Sequence, residues 1–358
     1  MPRPLRAAVS ASALAHNLAI ARAHAGTAKV WAVLKANAYG HGLERAARAL
    51  DAADGFAVLD FQEAARLRAL GVRKPILMLE GAFEQADVEL ALQHALTLVV
   101  HHTAQVEMLA GAALAGDCDV YLKANTGMNR LGFAANELRA AHAALRANRR
   151  VRDVTLMTHF ADADGAGGIE GQLARFEEMV KPLGRVARSL ANSAALLRFP
   201  RDSAADWVRP GIMLYGGSPF PERSAEALGL KPVMTLSSQI IAVQRLKRGE
   251  RVGYGFSFEA TGALTIGIVA CGYGDGYPRH APSGTPMLVN GQLTRIVGRV
   301  SMDMVAVDIT HVSGAGVGMP VTLWGEGLSA DEVGAAAGTI SYELFTRLTS
   351  RVPVIEVA

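Results

Sequence analysis

The sequence predicts an α/β chain in which a (β/α)8 TIM-type barrel is followed by a C-terminal, mostly-β domain. Three observations predict it. At 358 residues the chain exceeds the roughly 250–300 residues at which a single core stops growing, so two domains are expected. From about residue 28 to 215, short runs rich in Val, Leu or Ile alternate with Ala/Leu/Arg stretches of helical period. After Lys231-Pro232 the alternation stops, and β-branched segments follow one another without helices. The expected division is therefore residues 1–230 as the barrel domain and 231–358 as the β domain, with the first ten or so residues free to pack against the second.

The apolar runs are Val30 to Leu34, Phe56 to Leu59, Ile76 to Leu79, Leu96 to Val100, Val120 to Leu122, Val154 to Met157, a weak one from Val186 to Leu190, and Ile212 to Tyr215. Helical stretches follow at about 42–51, 61–70, 84–94, 103–113, 136–148 and 171–181. Strands that alternate with helices pair in parallel, because parallel neighbours need a long crossover. Eight such runs fit a closed barrel; a doubly wound open sheet is the competing arrangement. In the second half the extended segments are Thr235 to Val243, Leu264 to Ala270, Met287 to Val297 and Met304 to Ile309. Asn290-Gly291 marks a hairpin, since a type I′ turn needs positive φ at both central residues. Ser329 with Glu332 marks a short helix opened by a capping box, and Ser341 to Leu344 a second short helix.

Half the residues are hydrophobic and 19% are charged, which suits a large folded core and not a disordered chain. The net charge of +3 comes from scattered arginines. Their densest run, Arg149, Arg150 and Arg152, has no aromatic interleaving, so it reads as a solvated face and no nucleic-acid partner is expected. Cys118 and Cys271 are too few for a disulfide framework and lack metal-ligand spacing, so a reducing compartment and no metal are expected. Arg3 and Arg6 precede an alanine-rich run that superficially resembles a signal peptide, but Ser10, Ser12, His16 and Asn17 interrupt it. No stretch of 18 uninterrupted apolar residues occurs. A cytoplasmic protein without membrane contact is the expectation.

Polar residues gather at the ends of the apolar runs: Lys35, Asp60, Glu80, Lys123, His159, Asn192 with Ser193, and Arg209 just before the last run. In a barrel those junctions open on the C-terminal face, where active sites form. Any one of them alone reads equally well as a solvated loop charge; it is their co-occurrence that points to a site. A lysine that ends a buried strand is desolvated, its pKa falls, and it becomes nucleophilic; Lys35 is that residue. Five of the seven tyrosines, Tyr39, Tyr215, Tyr254, Tyr273 and Tyr277, flank Gly or Pro, which places them in turns instead of a core. Asp162-x-Asp164-Gly165 lacks the further ligands of a calcium loop, and Gly314-x-Gly316-x-Gly318 lacks a βαβ setting. His101-His102 reads as a strand end, because adjacent strand residues face opposite ways.

A series of motifs runs along the chain: AVLKANAYGHG from Ala32, LKANTGMNRLGF from Leu122, MTHFADAD from Met157, ANSAA from Ala191 and VRPGIMLYG from Val208. It continues through RVGYGFSF from Arg251, GYGDGYPR from Gly272, GRVSMDM from Gly298 and ISYELFTRLTSRVP from Ile340. The resemblance these motifs carry, over essentially the whole chain, is to the alanine racemases, two-domain members of the barrel-type pyridoxal-phosphate enzymes. It implies pyridoxal 5′-phosphate as cofactor, held as a Schiff base on Lys35. It implies a phosphate site made by Ser193 after Asn192 and by the amides of Gly211 and Ile212, with Tyr39 and Tyr342 added. Arg209 is implied opposite the pyridine nitrogen, where an arginine that keeps its proton leaves that nitrogen unprotonated. A structural salt bridge is the alternative reading of Arg209.

Arg130 is implied as the binder of the substrate carboxylate, held by Lys123, which in this family is commonly carbamylated and so anionic. His159 is implied to stack on the cofactor ring or to hydrogen-bond near Arg209. Racemisation needs bases on both faces of the α-carbon, and Tyr254 is implied as the second base. Tyr254 and the loop Ser301-Met302-Asp303 are implied to enter the partner subunit's site, Met302 touching substrate with Asp303 and Tyr273 in support. A head-to-tail homodimer follows. Ser189 stands where many relatives carry a histidine, Asn125 where many carry an aspartate, and Ser301 where some carry a cysteine.

The expected activity is interconversion of L- and D-alanine by two bases, Lys35 and Tyr254, with no metal. A broad-specificity amino-acid racemase is the alternative within the same chemistry. A non-catalytic pyridoxal-phosphate-binding barrel would also use Lys35, Ser193 and Arg209, but it needs no β domain carrying Tyr254. Supply of D-alanine to peptidoglycan and breakdown of alanine are both compatible with the sequence.

Overall fold

The computed structural model describes residues 3–357. Strand β1 (Arg6–Ser10) leads into a helix, Ala11–Ala25. Eight strands then close a parallel barrel: β2 (Lys29–Val33), β3 (Gly55–Val58), β4 (Ile76–Met78), β5 (Thr97–Val100), β6 (Cys118–Lys123), β7 (Val151–Met157), β8 (Arg188–Ser189) and β9 (Trp207–Val208). Closure is made where Val30 of β2 pairs with Val208 of β9. The open-sheet alternative is thereby excluded. Inside, Trp31 stacks on Trp207 at 4.3 Å and donates its indole N–H to the Tyr121 hydroxyl at 2.9 Å. Gly55 is glycine because a β-carbon there would sit 2.2 Å from the Trp31 ring.

The expected eighth strand was misplaced. Ile212–Tyr215 is a 3-10 turn, and the strand that closes the barrel is the two-residue β9. A short apolar run has the same pattern in a buried turn as in a buried strand. Here Pro210 supplies no N–H to a ladder, and the run is buried because Asn17 donates to Leu214 O at 3.2 Å and Tyr215 donates to Val33 O at 2.7 Å. Arg209 consequently follows the last strand instead of preceding it, which puts it on the same rim as the other strand-end residues.

Helices Leu43–Ala49, Phe61–Ala69, Gln85–Gln93, Thr103–Ala110, Ala135–Ala147 and Glu170–Val180 lie close to their expected positions. Two helices were not expected, Ala11–Ala25 and Ser193–Arg198. The polar residues that interrupt the N-terminal alanine run anchor the first of these. Ser10 accepts the Ala13 N–H as its cap, and the fully buried Asn17 bonds Leu214 O, Lys231 O and Lys231 N.

The second half is built on the 13-residue strand β10 (Met234–Leu246). It continues through β11 (Arg251–Val252), β12 (Phe258–Glu259), β13 (Leu264–Val269), β14 (Pro286–Val289), β15 (Gln292–Arg295), β16 (Val305–Asp308), β17 (Pro320–Trp324) and β18 (Val354–Val357). The main sheet runs β15-β14-β17-β10-β1-β18, with β13 pairing both β10 and β16. The N-terminal strand β1 thus lies between β10 and β18. Asn290 and Gly291 take φ of 49° and 73° and join β14 to β15. Ser329 caps helix Ala330–Ala337 by accepting the Glu332 N–H, and helix Ser341–Thr346 follows.

Tyr215 and Tyr277 are fully buried, and Tyr39 nearly so, contrary to the expectation that tyrosines beside Gly or Pro sit in open turns. The glycine shapes the backbone, but the ring still finds a core: Tyr277 stacks on Trp324 and Tyr215 on Tyr39. No helix among the described residues is long and apolar enough to cross a membrane.

Candidate active site

Lys35 lies two residues past β2, Lys123 ends β6, His159 lies two residues past β7, Asn192 and Ser193 open the helix after β8, and Arg209 follows β9. All occupy the C-terminal rim of one parallel barrel. Asp60, also on that rim, is a helix cap: its carboxylate accepts the Gln62 N–H at 2.7 Å.

The chain leaves Lys35 in an unusual way. Ala36, Asn37, Ala38 and Tyr39 all have φ between 52° and 55°, a full left-handed turn of non-glycine residues. Such a conformation costs about 1–2 kcal/mol per residue and persists only where its surroundings impose it. Its effect is to carry Tyr39 under the barrel rim, stacked on Tyr215 at 4.6 Å and 6.1 Å from the Tyr342 ring. A β-carbon on Gly211 would lie 2.5 Å from the Tyr39 hydroxyl, so only glycine lets that phenol reach the backbone there. Ser193 Oγ accepts the Gly211 N–H at 2.9 Å and that of Met213 at 3.5 Å. Asn192 spends both ends of its amide within the fold, accepting from Ala195 N and donating to Phe160 O.

Around Lys35 the charges are mostly positive. Burial first, then the Arg130 guanidinium, hold the Lys35 ammonium below the usual lysine range, with Glu80 opposing. Burial pushes Lys123 down to about 8, helped by Arg209 and Arg130 and again opposed by Glu80. Burial and the same cations keep His159 well below its ordinary value, so its imidazole is neutral. Arg209 is 4% exposed and has no carboxylate partner among the described residues, which removes the salt-bridge reading. Its donors go to Ser189 Oγ at 2.6 Å, Thr158 O at 2.6 Å and Leu190 O at 3.2 Å, with His159 Nδ1 at 3.5 Å. Desolvation lowers this guanidinium to about 10, so it stays charged at neutral pH.

Arg130 is exposed on a loop that Asn125 ties together: its side-chain oxygen accepts the Gly127 and Asn129 amides, each at 3.1 Å. As an ammonium Lys123 is a like charge to Arg130, which is one reason its proton is held less tightly than usual.

The β-domain residues stand apart from this group within one chain. Tyr254 is 72% exposed on the 3-10 turn Tyr254–Phe256, and Met302 is 51% exposed. None of Tyr254, Tyr273, Met302 and Asp303 forms a hydrogen bond, ion pair or ring contact with the barrel-rim residues among those described. Their loops are nevertheless fixed. Tyr273 N donates to Ser301 O at 3.0 Å and Gly274 N to Met302 O at 2.8 Å, while Arg351 bonds Asp303 at 2.6 Å and the fully buried Asp275 at 3.2 Å.

Two family models match this chain: the alanine racemase N-terminal domain over residues 9–219 and the alanine racemase C-terminal domain over residues 233–356. The chain belongs to the alanine racemase family. It is 54% identical over 363 residues to the alanine racemase of Polaromonas sp. (strain JS666 / ATCC BAA-500), covering 99% of this chain and 100% of that one. Its structure is similar to the biosynthetic alanine racemase from Pseudomonas aeruginosa, with a TM-score of 0.97, 49% identity and coverage of 99% and 100% of the two chains. The alanine racemase from Acinetobacter baumannii follows at a TM-score of 0.94 and 39% identity, with coverage of 99% and 100%.

In this family member, several residues around the site were not singled out from sequence. Gln172 donates to Thr126 Oγ1 at 2.9 Å and to His159 O at 3.1 Å, and Thr126 shares a 2.7 Å bond with the Thr158 hydroxyl. This buried network fixes the backbone that carries His159 and accepts from Arg209. Gln172 reaches in from a helix, and nothing in its spacing announces that. His41 and Asp275 lie inside quoted motifs, so their motifs were visible although their work was not.

Proposed function

We propose that this protein racemises alanine with pyridoxal 5′-phosphate held on Lys35, as a head-to-tail homodimer. The observation that carries the reading is a desolvated lysine on a cationic barrel rim that also carries the Ser193–Gly211 hydrogen bond. The residues present fit the cofactor. The Gly211 approach to the Tyr39 hydroxyl, with Ser193 and Tyr342 nearby, supplies the N–H and O–H donors that a phosphate needs, and Arg209 and His159 lie past the ends of β9 and β7, the strands that flank β8.

When bound, the cofactor withdraws electrons from the α-carbon of an amino acid and so acidifies its proton. The protein's own groups do the rest. Arg209, which keeps its proton, would hold the cofactor's pyridine ring as a hydrogen-bond donor. Arg130 binds the substrate carboxylate, and Lys123 supports it once carbamylated. Lys35, whose ammonium burial and Arg130 make easier to deprotonate, would take or return a proton on one face of the α-carbon. Tyr254 of the partner subunit does so on the other, with Met302, Asp303 and Tyr273 shaping the entrance.

The dimer is supported by apolar exposure in the β domain: Tyr254, Phe256, Met302 and Met304 are 43–72% exposed. They lie beside a cavity of about 370 Å³ lined by residues such as Leu246, Val252, Ile266 and Met304. The two free, buried cysteines Cys118 and Cys271 suit the cytoplasm. The test is direct. The pure protein with cofactor should interconvert the alanine enantiomers, and borohydride should fix the cofactor on the peptide containing Lys35. Fixation on Lys123 instead would overturn the assignment.

A further inference from the structure

The left-handed turn that follows Lys35 is held from behind by a residue the proposed chemistry does not use. His41 is fully buried. Its Nδ1 lies 2.8 Å from Tyr39 O and 3.1 Å from Ala38 O, the two carbonyls at the end of the turn. Carbonyl oxygens only accept, so Nδ1 carries the hydrogen and Nε2 is a bare lone pair. Nε2 has no hydrogen-bond partner among the described residues. The ring is packed at 4.7 Å from Tyr215 and edge-on to Phe345 at 5.0 Å. Tyr215 in turn stacks on Tyr39 and donates to Val33 O at the end of β2.

An imidazole is a costly way to fill this space, because it leaves one desolvated lone pair unmatched. Its gain over an apolar side chain is the Nδ1–H, which goes to both carbonyls of a backbone segment wound against the preference of L-residues. The other side chains on the turn act at its start: Glu63 Oε1 accepts the Asn37 N–H at 2.8 Å, and Asn37 Oδ1 accepts from Leu43 N at 2.9 Å. Among the described side chains, His41 is the one that ties its end, beside its own backbone N–H, which donates to Ala38 O at 3.0 Å. Gly40 completes the lock, since a β-carbon there would lie 2.2 Å from Phe345 O.

We propose that His41, through its Nδ1–H, is a positioning residue for Lys35: it locks the left-handed turn and thereby fixes both the direction in which Lys35 leaves β2 and the place of the Tyr39 hydroxyl beside Gly211. This rests on Lys35 being the cofactor-bearing lysine. Burial keeps the imidazole neutral, down at about 4, and Arg45, whose guanidinium bonds His41 O, adds to that effect.

Two substitutions separate the hydrogen bond from the packing. His41→Phe keeps a ring against Tyr215 and Phe345 and removes the donor; His41→Asn discards the ring but places an amide N–H where Nδ1 stood. Lys35 reactivity is read in the cofactor-free protein as the rate of acylation by an amine reagent, mapped to its peptide by mass spectrometry. That readout needs neither cofactor nor substrate, so it fails separately from the racemase reading. Reactivity of Lys35 in His41→Phe should change about tenfold, and kcat in the holoenzyme should fall roughly 10- to 100-fold with KM for alanine little altered, the scale expected for a misplaced reacting group. His41→Asn should restore most of both, even though it unfolds at a lower temperature. A folded His41→Phe protein with wild-type Lys35 acylation and kcat would overturn the proposal. If His41→Phe does not fold, His41→Asn decides it: wild-type-like Lys35 acylation supports the lock, and loss of that reactivity shows that packing, not the hydrogen bond, positions the lysine.

Discussion

The guanidinium of Arg209 donates to the hydroxyl of Ser189 across 2.6 Å, with Ser189 fully buried and Arg209 nearly so. Arg209 has no carboxylate partner among the described residues, so its charge is spread over neutral acceptors: one hydroxyl, two carbonyls and the more distant His159 ring. This is how a serine at position 189 fixes the arginine.

Removing that hydroxyl leaves a buried, charged donor unmatched. Ser189→Ala is expected to lower stability by about 1–3 kcal/mol, the cost of an unsatisfied buried partner. Urea denaturation checks it, and a midpoint equal to wild type would mean that Arg209 finds another acceptor.

Free of carbamylation, Lys123 gives a pH signature. Its folded-state value is about 8, below the 10.5 of an ordinary lysine. Below pH 8 both folded and unfolded chains carry the proton, and folding bears the whole cost of burying the ammonium. Between 8 and 10.5 the unfolded chain holds a proton that the folded one has released, so stability rises with pH across that window. Lys123→Met removes the effect. Denaturation of both proteins from pH 7 to 10.5 should show wild type gaining on the variant as pH rises; a constant difference would contradict the assignment.

Much of this was legible in the sequence, and the failures have physical causes. Strand–helix alternation located seven of the eight barrel strands, because each run is short and apolar and all but the weak one at Val186 to Leu190 are followed by a helical period. The eighth failed because Ile212–Tyr215 is as apolar as a strand but is buried as a turn against the helix Ala11–Ala25. That helix was itself obscured by its buried polar residue, Asn17. Strands β1 and β18 lie in the same sheet from opposite ends of the chain, a pairing that local pattern cannot reveal. At the site, Lys35, Lys123, His159, Ser193 and Arg209 were findable as polar residues at strand ends. Thr126, Thr158 and Gln172 were not, because their roles are defined by where their hydrogen bonds converge and not by spacing.

The separation of Tyr254 from the barrel rim within one chain predicts a shared site. Mixed Lys35→Ala and Tyr254→Phe chains, each inactive alone, should recover part of the activity through heterodimers that carry one intact site. Assays after subunit exchange, verified with differently tagged chains, test this. No recovery despite demonstrated exchange would place both bases in one subunit.

The central claim is that Lys35 and Tyr254 are separate bases with opposite stereochemical duties, and exchange of the α-proton in heavy water tests it most directly. The Tyr254→Phe protein, incubated with each enantiomer in turn, should incorporate deuterium into D-alanine, where Lys35 still works, and not into L-alanine, while net racemisation collapses. Equal incorporation into both enantiomers, or equal loss from both, would contradict the two-base account.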